Sequence, residues 1–144
     1  MSDYGDLIPF SLTAGVKNLD YDIEAINLIS QVGIEFIIQG FDCGNEPINV
    51  KIFFDTFPVA YKLTNESFTE NINMAIGKVR SQTGTLDTKI FEVKNSSYIK
   101  GLNSQTFNGE GVEDLRHFLI YLVDDYIEVA AYDAPIVTIY EDKD

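Results

Sequence analysis

Two apolar runs near the C-terminal end constrain this chain more than any other feature: Leu115 to Val123 and Tyr126 to Ala131, joined by Asp124-Asp125. Each is rich in β-branched and aromatic residues, and two acidic turn residues separate them, so the pattern predicts a β-hairpin. The first run is apolar on both faces. A strand of that kind sits in the middle of a sheet, with neighbours on either side and a cover over each face.

The rest of the chain supplies candidates for those neighbours. Leu19, Tyr21, Ile23 and Ala25 alternate with Asp20, Asp22 and Glu24, the period of a half-buried strand with acids toward water, although Ile23, Ile26 and Ile29 also suit a helix. Ile34 to Gln39 reads as a strand, Asp42 to Pro47 as a turn, and Val50 to Phe54 as the returning strand. Pro58 marks a bend before Val59 to Leu63. A short helix is expected around Phe68 to Ile76, with Gly77 and Gly84 as breaks. Lys89 to Val93 alternates again; Asn95 then fits a helix cap, with Tyr98, Ile99 and Leu102 lining one helical face. Pro135 precedes a last strand, Ile136 to Tyr140. The fold class expected is α+β: a mainly antiparallel, meander-type β-sheet with one or two short helices.

At 144 residues with no repeat or linker, residues 1–144 read as a single domain, with 1–18 an irregular lead-in and 141–144 an acidic tail. The lead-in reading rests on Gly5, Pro9 and Gly15, which break any periodicity. Hydrophobic residues make up 45% of the chain, enough for a folded core despite a net charge of −13. The first residues lack the basic and apolar regions of a signal peptide, and the longest apolar run, Phe118 to Val123, is far short of a bilayer span. One cysteine, Cys43, allows no intrachain disulfide. The location expected from these features is cytoplasmic.

The charge is unevenly spread. Residues 1–50 hold eight acids and one lysine, residues 51–100 five acids and seven bases, and residues 101–144 ten acids and two bases. Two acidic ends flank a mildly basic middle. Such a field repels nucleic acid and anionic membranes and attracts a basic protein surface.

No motif for catalysis, cofactor or metal emerges. His117 is the only histidine and lies inside an apolar strand, where a hydrogen-bonded structural imidazole is the commoner case; catalysis would need carboxylates from elsewhere in the chain. Cys43 sits in a turn-rich segment with no histidine in view. Asp20, Asp22 and Glu24 are spaced like the start of a calcium loop, but Ala25 stands where glycine is needed and Gln31 where the final glutamate belongs. Asn95-Ser96-Ser97 is not part of a G-x-S-x-G elbow, and Gly109 to Glu113 puts acids where a phosphate would sit. No catalytic residue, cofactor or metal is therefore expected.

The segments Phe91 to Lys100, His117 to Tyr121 and Asp125 to Val129 resemble a recurrent type of small bacterial protein, similar to the immunity partners of contact-dependent and polymorphic toxins. The resemblance spans about residues 34–140 and rests on structural motifs, so it carries no binding residue over. It implies toxin neutralisation. The functional expectation is thus a small acidic protein-binding module, an immunity protein that occludes the active site of a basic toxin such as a nuclease. Partner-binding candidates are Asp20, Asp22 and Glu24; Glu110, Glu113 and Asp114; and the hairpin acids Asp124, Asp125 and Glu128. The alternatives are an acidic nucleic-acid mimic that inhibits a DNA- or RNA-binding protein, and an enzyme built on His117.

Overall fold

The computed structural model describes residues 4–9, 16–18, 23–29, 33–42, 46–55, 60–65, 70–83, 90–103, 114–122 and 125–141. The predicted hairpin is its centre: β8 (Arg116–Tyr121) pairs antiparallel with β9 (Asp125–Ala131). On the other side β8 pairs with β7 (Ile90–Lys94), so the strand that is apolar on both faces lies mid-sheet. The outer strands come from distant parts of the chain. β1 (Asp6–Pro9) joins β7, and β6 (Ala60–Asn65) joins β9, giving the order β1-β7-β8-β9-β6.

A second antiparallel sheet is built on β4 (Gly33–Asp42), paired with β3 (Ile23–Ile29), β2 (Val16–Asn18) and β5 (Pro47–Phe54); β10 (Ile136–Glu141) returns to pair with β5. The α+β, mainly antiparallel class is as expected, but the strands divide between two sheets. The reason lies in the periodicity. Ile34, Phe36, Ile38, Val50, Ile52 and Phe54 of the second sheet interlock with Ile90, Phe118, Ile120, Ile127 and Val129 of the first in one dry core. Each set alternates along its strands, as two facing sheets require.

The opposite face of the first sheet is covered by α1 (Glu70–Thr83) and α2 (Ser97–Asn103). Ile72, Ala75, Ile76 and Val79 recur at helical spacing and pack on Leu7, Phe91, Val93, Leu119 and Tyr126. The Tyr126 hydroxyl also donates to Asn73 Oδ1, tying β9 to α1. Tyr98, Ile99 and Leu102 of α2 rest half-buried on Leu115 and Ala130.

Several boundaries differ from the expectation. Residues 1–18 are not wholly irregular, since they supply β1 and β2. Glu141, assigned above to the acidic tail, ends β10. Helix α1 passes through Gly77, where an added Cβ would meet nothing within 4 Å; the glycine faces open space and does not break the helix. The cap of α2 is Ser96, whose Oγ accepts the Ile99 N–H at 3.1 Å, while Asn95 makes the turn before it at φ 55°.

Gly33 gives a direct check on the packing of the second sheet. A Cβ there would lie 1.9 Å from the Phe54 carbonyl oxygen, a backbone atom that cannot yield. Gly33→Ala is expected to cost about 2–3 kcal/mol in a chemical-denaturation experiment. Gly77→Ala, in open helix, should instead raise stability by about 0.5–1 kcal/mol. Equal effects at the two glycines would contradict the register of β4 on β5.

Candidate functional site

The helix-covered face of the central sheet holds a buried polar cluster that the sequence does not advertise. His117 on β8 and Glu128 on β9 are diagonal cross-strand neighbours, since His117 pairs with Ala130 and Glu128 with Leu119. His117 is 0% and Glu128 1% exposed. His117 Nε2 lies 2.9 Å from Glu128 Oε2. On the other side of the ring, Ser96 Oγ is 2.7 Å from His117 Nδ1. The Tyr4 hydroxyl donates to Glu128 Oε2 at 2.8 Å and stands 3.1 Å from His117 Nε2.

Local structure explains how these residues meet. Gly5, at φ 137°, turns the chain just before β1, in a conformation that L side chains rarely adopt, and so delivers Tyr4 onto the sheet. The Tyr4 carbonyl then accepts the Ser97 N–H at 3.0 Å and the Ser97 hydroxyl at 3.3 Å, fixing the N-terminal segment to the start of α2. The left-handed turn at Asn95 carries Ser96 over the sheet. Tyr4 and Tyr98 pack edgewise on the imidazole, with ring centroids 5.3 and 5.0 Å away.

The protonation states follow from the surroundings. Burial pushes His117 below the usual histidine range, against the opposing pull of Glu128. Burial alone would raise Glu128, but the hydrogen bonds from His117 and Tyr4 and the nearby Lys62 outweigh it and hold the carboxyl below its ordinary value. Tyr4, buried beside that carboxylate, is driven far above the ordinary phenol value. The consistent assignment is an ionised Glu128 and a neutral imidazole carrying its proton on Nε2. Nδ1 then accepts from Ser96, whose oxygen in turn accepts from Ile99.

Ser96, His117 and Glu128 thus form a serine–histidine–carboxylate series, the element order of an acyl-transfer relay. Two features distinguish it from a solvent-open relay. The imidazole is sealed from solvent, and the Ser96 oxygen is already committed to capping α2. The three residues come together only in space, because Ser96 carries no elbow motif and the sequence places Glu128 among the partner-contact acids.

A cavity of about 480 Å³ adjoins the cluster, lined by Tyr4, Lys62, Thr64, Glu70, Asn71, Ile72, Ser97, Tyr98 and Glu128. Lys62 stands opposite Glu128 across the β6–β9 pair; its Nζ is 3.6 Å from Glu128 Oε1 and 4.5 Å from the centre of the Tyr98 ring. A second charged group lies elsewhere. Glu92 accepts two bonds from Arg116, at 2.7 and 2.9 Å, and one from Lys94 at 3.0 Å. Those bonds, chiefly Arg116's, hold its carboxyl down to about 2.

The acids named from the sequence fare differently. Glu128 is corrected in its placement: it is an interior carboxylate and not an exposed hairpin acid, because β9 is covered on both faces. Asp114 is exposed and Asp125 half-exposed. Glu24 lies on β3 at a register shift, and Asp20, Asp22, Glu110, Glu113 and Asp124 lie outside the described residues, as does Cys43. Among the described residues no three His, Cys, Asp or Glu are grouped to hold a metal ion, and no helix is long and apolar enough to cross a membrane.

Because the folded His117 titrates below the free imidazole value of 6.5, the unfolded chain binds that proton more tightly. Its stabilising contribution is complete above about pH 6.5 and declines as the pH falls through that value. The melting temperature of the wild type is therefore expected to drop in this range, with a further loss below about pH 4.5 as Glu92 and Glu128 protonate. His117→Asn should flatten the first limb and keep the second; an unchanged profile would mean that His117 is not held neutral. Tyr4→Phe should cost about 1.5–3 kcal/mol by removing a donor to a buried carboxylate.

A scan against protein-family models, a search of curated proteins and a search of solved structures each returned no match.

Proposed function

We propose that the protein is a small acidic protein-binding module, an immunity protein that neutralises a basic toxin, for instance a nuclease, in the bacterial cytoplasm by covering its active site. The observation that carries this reading is the way the fold sorts its charges. Lys51, Lys62, Lys94 and Arg116 lie against the half-buried or buried carboxylates of Glu35, Glu128 and Glu92. Asp6, Glu46, Asp55, Glu70, Asp114 and Asp133 are exposed. Those four bases are paired with carboxylates and Lys78 and Lys100 stay exposed, so among the described residues these six outward acids outnumber the exposed bases without a salt bridge, on a chain already at −13. Such a surface steers a cationic partner and speeds encounter.

The sealing of His117 also favours binding over catalysis, since a general base must reach its substrate. The Ser96–His117–Glu128 series supports a second reading, an acyl-transfer enzyme in which Ser96 is the nucleophile. A serine-directed fluorophosphonate separates the two: covalent labelling that is lost in Ser96→Ala would favour the enzyme, and no labelling favours the binder.

For the immunity reading, the test is co-purification with the C-terminal domain of a large secreted protein encoded by the adjacent reading frame. A one-to-one complex is expected whose association rate falls at least about tenfold between 50 mM and 500 mM salt. Absence of a complex at micromolar concentration would sink the proposal. Charge reversal at Asp20, Asp22 and Glu24 should slow association if that cluster is the contact; an unchanged rate removes it.

A further inference from the structure

The cavity beside Glu128 has the chemistry of a cation box. One wall is the Tyr98 ring, whose π-face attracts positive charge. The floor is Glu128. Among the described residues, Tyr4 and His117 occupy its Oε2, and Lys62 approaches its Oε1 to 3.6 Å. Glu70, at the start of α1, lines the rim and is exposed. Among the described lining residues two carboxylates stand with one ammonium, a net charge of −1.

Lys62 fills this box from within, over the Tyr98 ring and against the carboxylate. It does so loosely. Its side chain is 48% exposed and its distance to Oε1 is that of an ion pair without a hydrogen bond. A lysine ammonium is a point charge on a flexible stem; a guanidinium is planar, stacks on an aromatic face and reaches two carboxylates with one fork. The volume of about 480 Å³ leaves room for such a group. An anion is excluded on charge, because it would meet both Glu70 and Glu128.

We propose that this cavity seats the guanidinium of an arginine side chain presented by the basic partner, and that Lys62 occupies the seat until the partner arrives. The proposal rests on the binding reading for the existence of that partner. The chemistry of the seat is independent of it. In the complex the arginine stacks on Tyr98, bonds Glu128 Oε1 and Glu70, and Lys62 turns outward to solvent. The arginine would be a central anchor of the interface, surrounded by the acidic rim.

The seat can be tested without the partner, using N-acetyl-arginine-N-methylamide as the probe and the ring resonances of Tyr98 and His117 as the readout. In the intact protein, saturable shifts are expected in the millimolar range, and the matching citrulline compound, of the same shape without the charge, should give none. Glu70→Gln, a surface change that leaves the core alone, should weaken binding about threefold to tenfold. Lys62→Met should tighten it at least about threefold. Lys51→Met, the same charge change on the other sheet, should tighten it by less.

Equal shifts with the citrulline compound, equal gains from Lys62→Met and Lys51→Met, or no saturable binding in either the wild type or Lys62→Met would each overturn the proposal. The two readings fail separately. Arginine binding without a toxin complex removes the partner and keeps the seat; a toxin complex without arginine binding does the reverse.

Discussion

The buried carboxylate of Glu128 is the constraint around which the helix-covered half of the molecule is arranged. An ionised group withdrawn from water costs several kcal/mol unless charge and hydrogen bonds replace its hydration. Here the replacement comes from three separate parts of the chain, with a fourth holding the histidine in place. Tyr4 comes from the segment before β1, His117 from β8, Lys62 from β6, and Ser96 completes the series from the turn into α2. The two outer strands of the central sheet, which meet it through long-range pairing, each contribute or adjoin one of these groups. Mispairing either edge would leave the carboxylate short of a partner, so the cluster penalises wrong topologies more than it stabilises the right one.

The sequence reveals this architecture where order is local and conceals it where order is long-range. The β8–β9 hairpin, the β4–β5 pair and the strand from Ile90 follow from alternation and turn chemistry within a few residues. That β1 and β6 complete the same sheet as β8, and that β10 returns to β5, depends on pairings between residues tens of positions apart, for which a single sequence holds no local signal. The smaller differences have local causes. Gly77 lies on the open face of α1, so it weakens the helix without ending it. Asn95 and Ser96 are both good caps; the positive φ that asparagine tolerates well decides which of them makes the turn and which caps.

The polar cluster was half legible. His117 lies in a largely apolar strand, and the imidazole there is buried and hydrogen-bonded, as expected. The same logic applies to Glu128, which sits in Tyr126 to Ala131, a run whose other members are apolar or aromatic on both faces. Its charge drew it into the surface class, whereas its neighbours place it inside. A charged residue in such a run is a demand for partners, and the partner nearest in the sheet is the histidine on the facing strand. Ser96 and Tyr4 carried no comparable signal. Their roles arise from backbone turns at Asn95 and Gly5 that bring distant residues over one imidazole.

The placement of the cluster follows from the unequal covering of the central sheet. Between the sheets, rows of Ile, Val and Phe pack together in one buried apolar cluster, which offers no partner for a charged group. On the other face, a helix of 14 residues and one of 7 must cover five strands. Among the described residues, two rods cannot tile such a surface, and the cavity lies where their first turns meet β6. A carboxylate at that gap keeps one oxygen in the protein's own hydrogen-bond network and turns the other toward the opening. The oxygen fixed by Tyr4 and His117 secures the fold. The oxygen turned to Lys62 is the one the proposed arginine would take over, so under that proposal the imperfect cover over the sheet is what would let a structural charge also serve recognition.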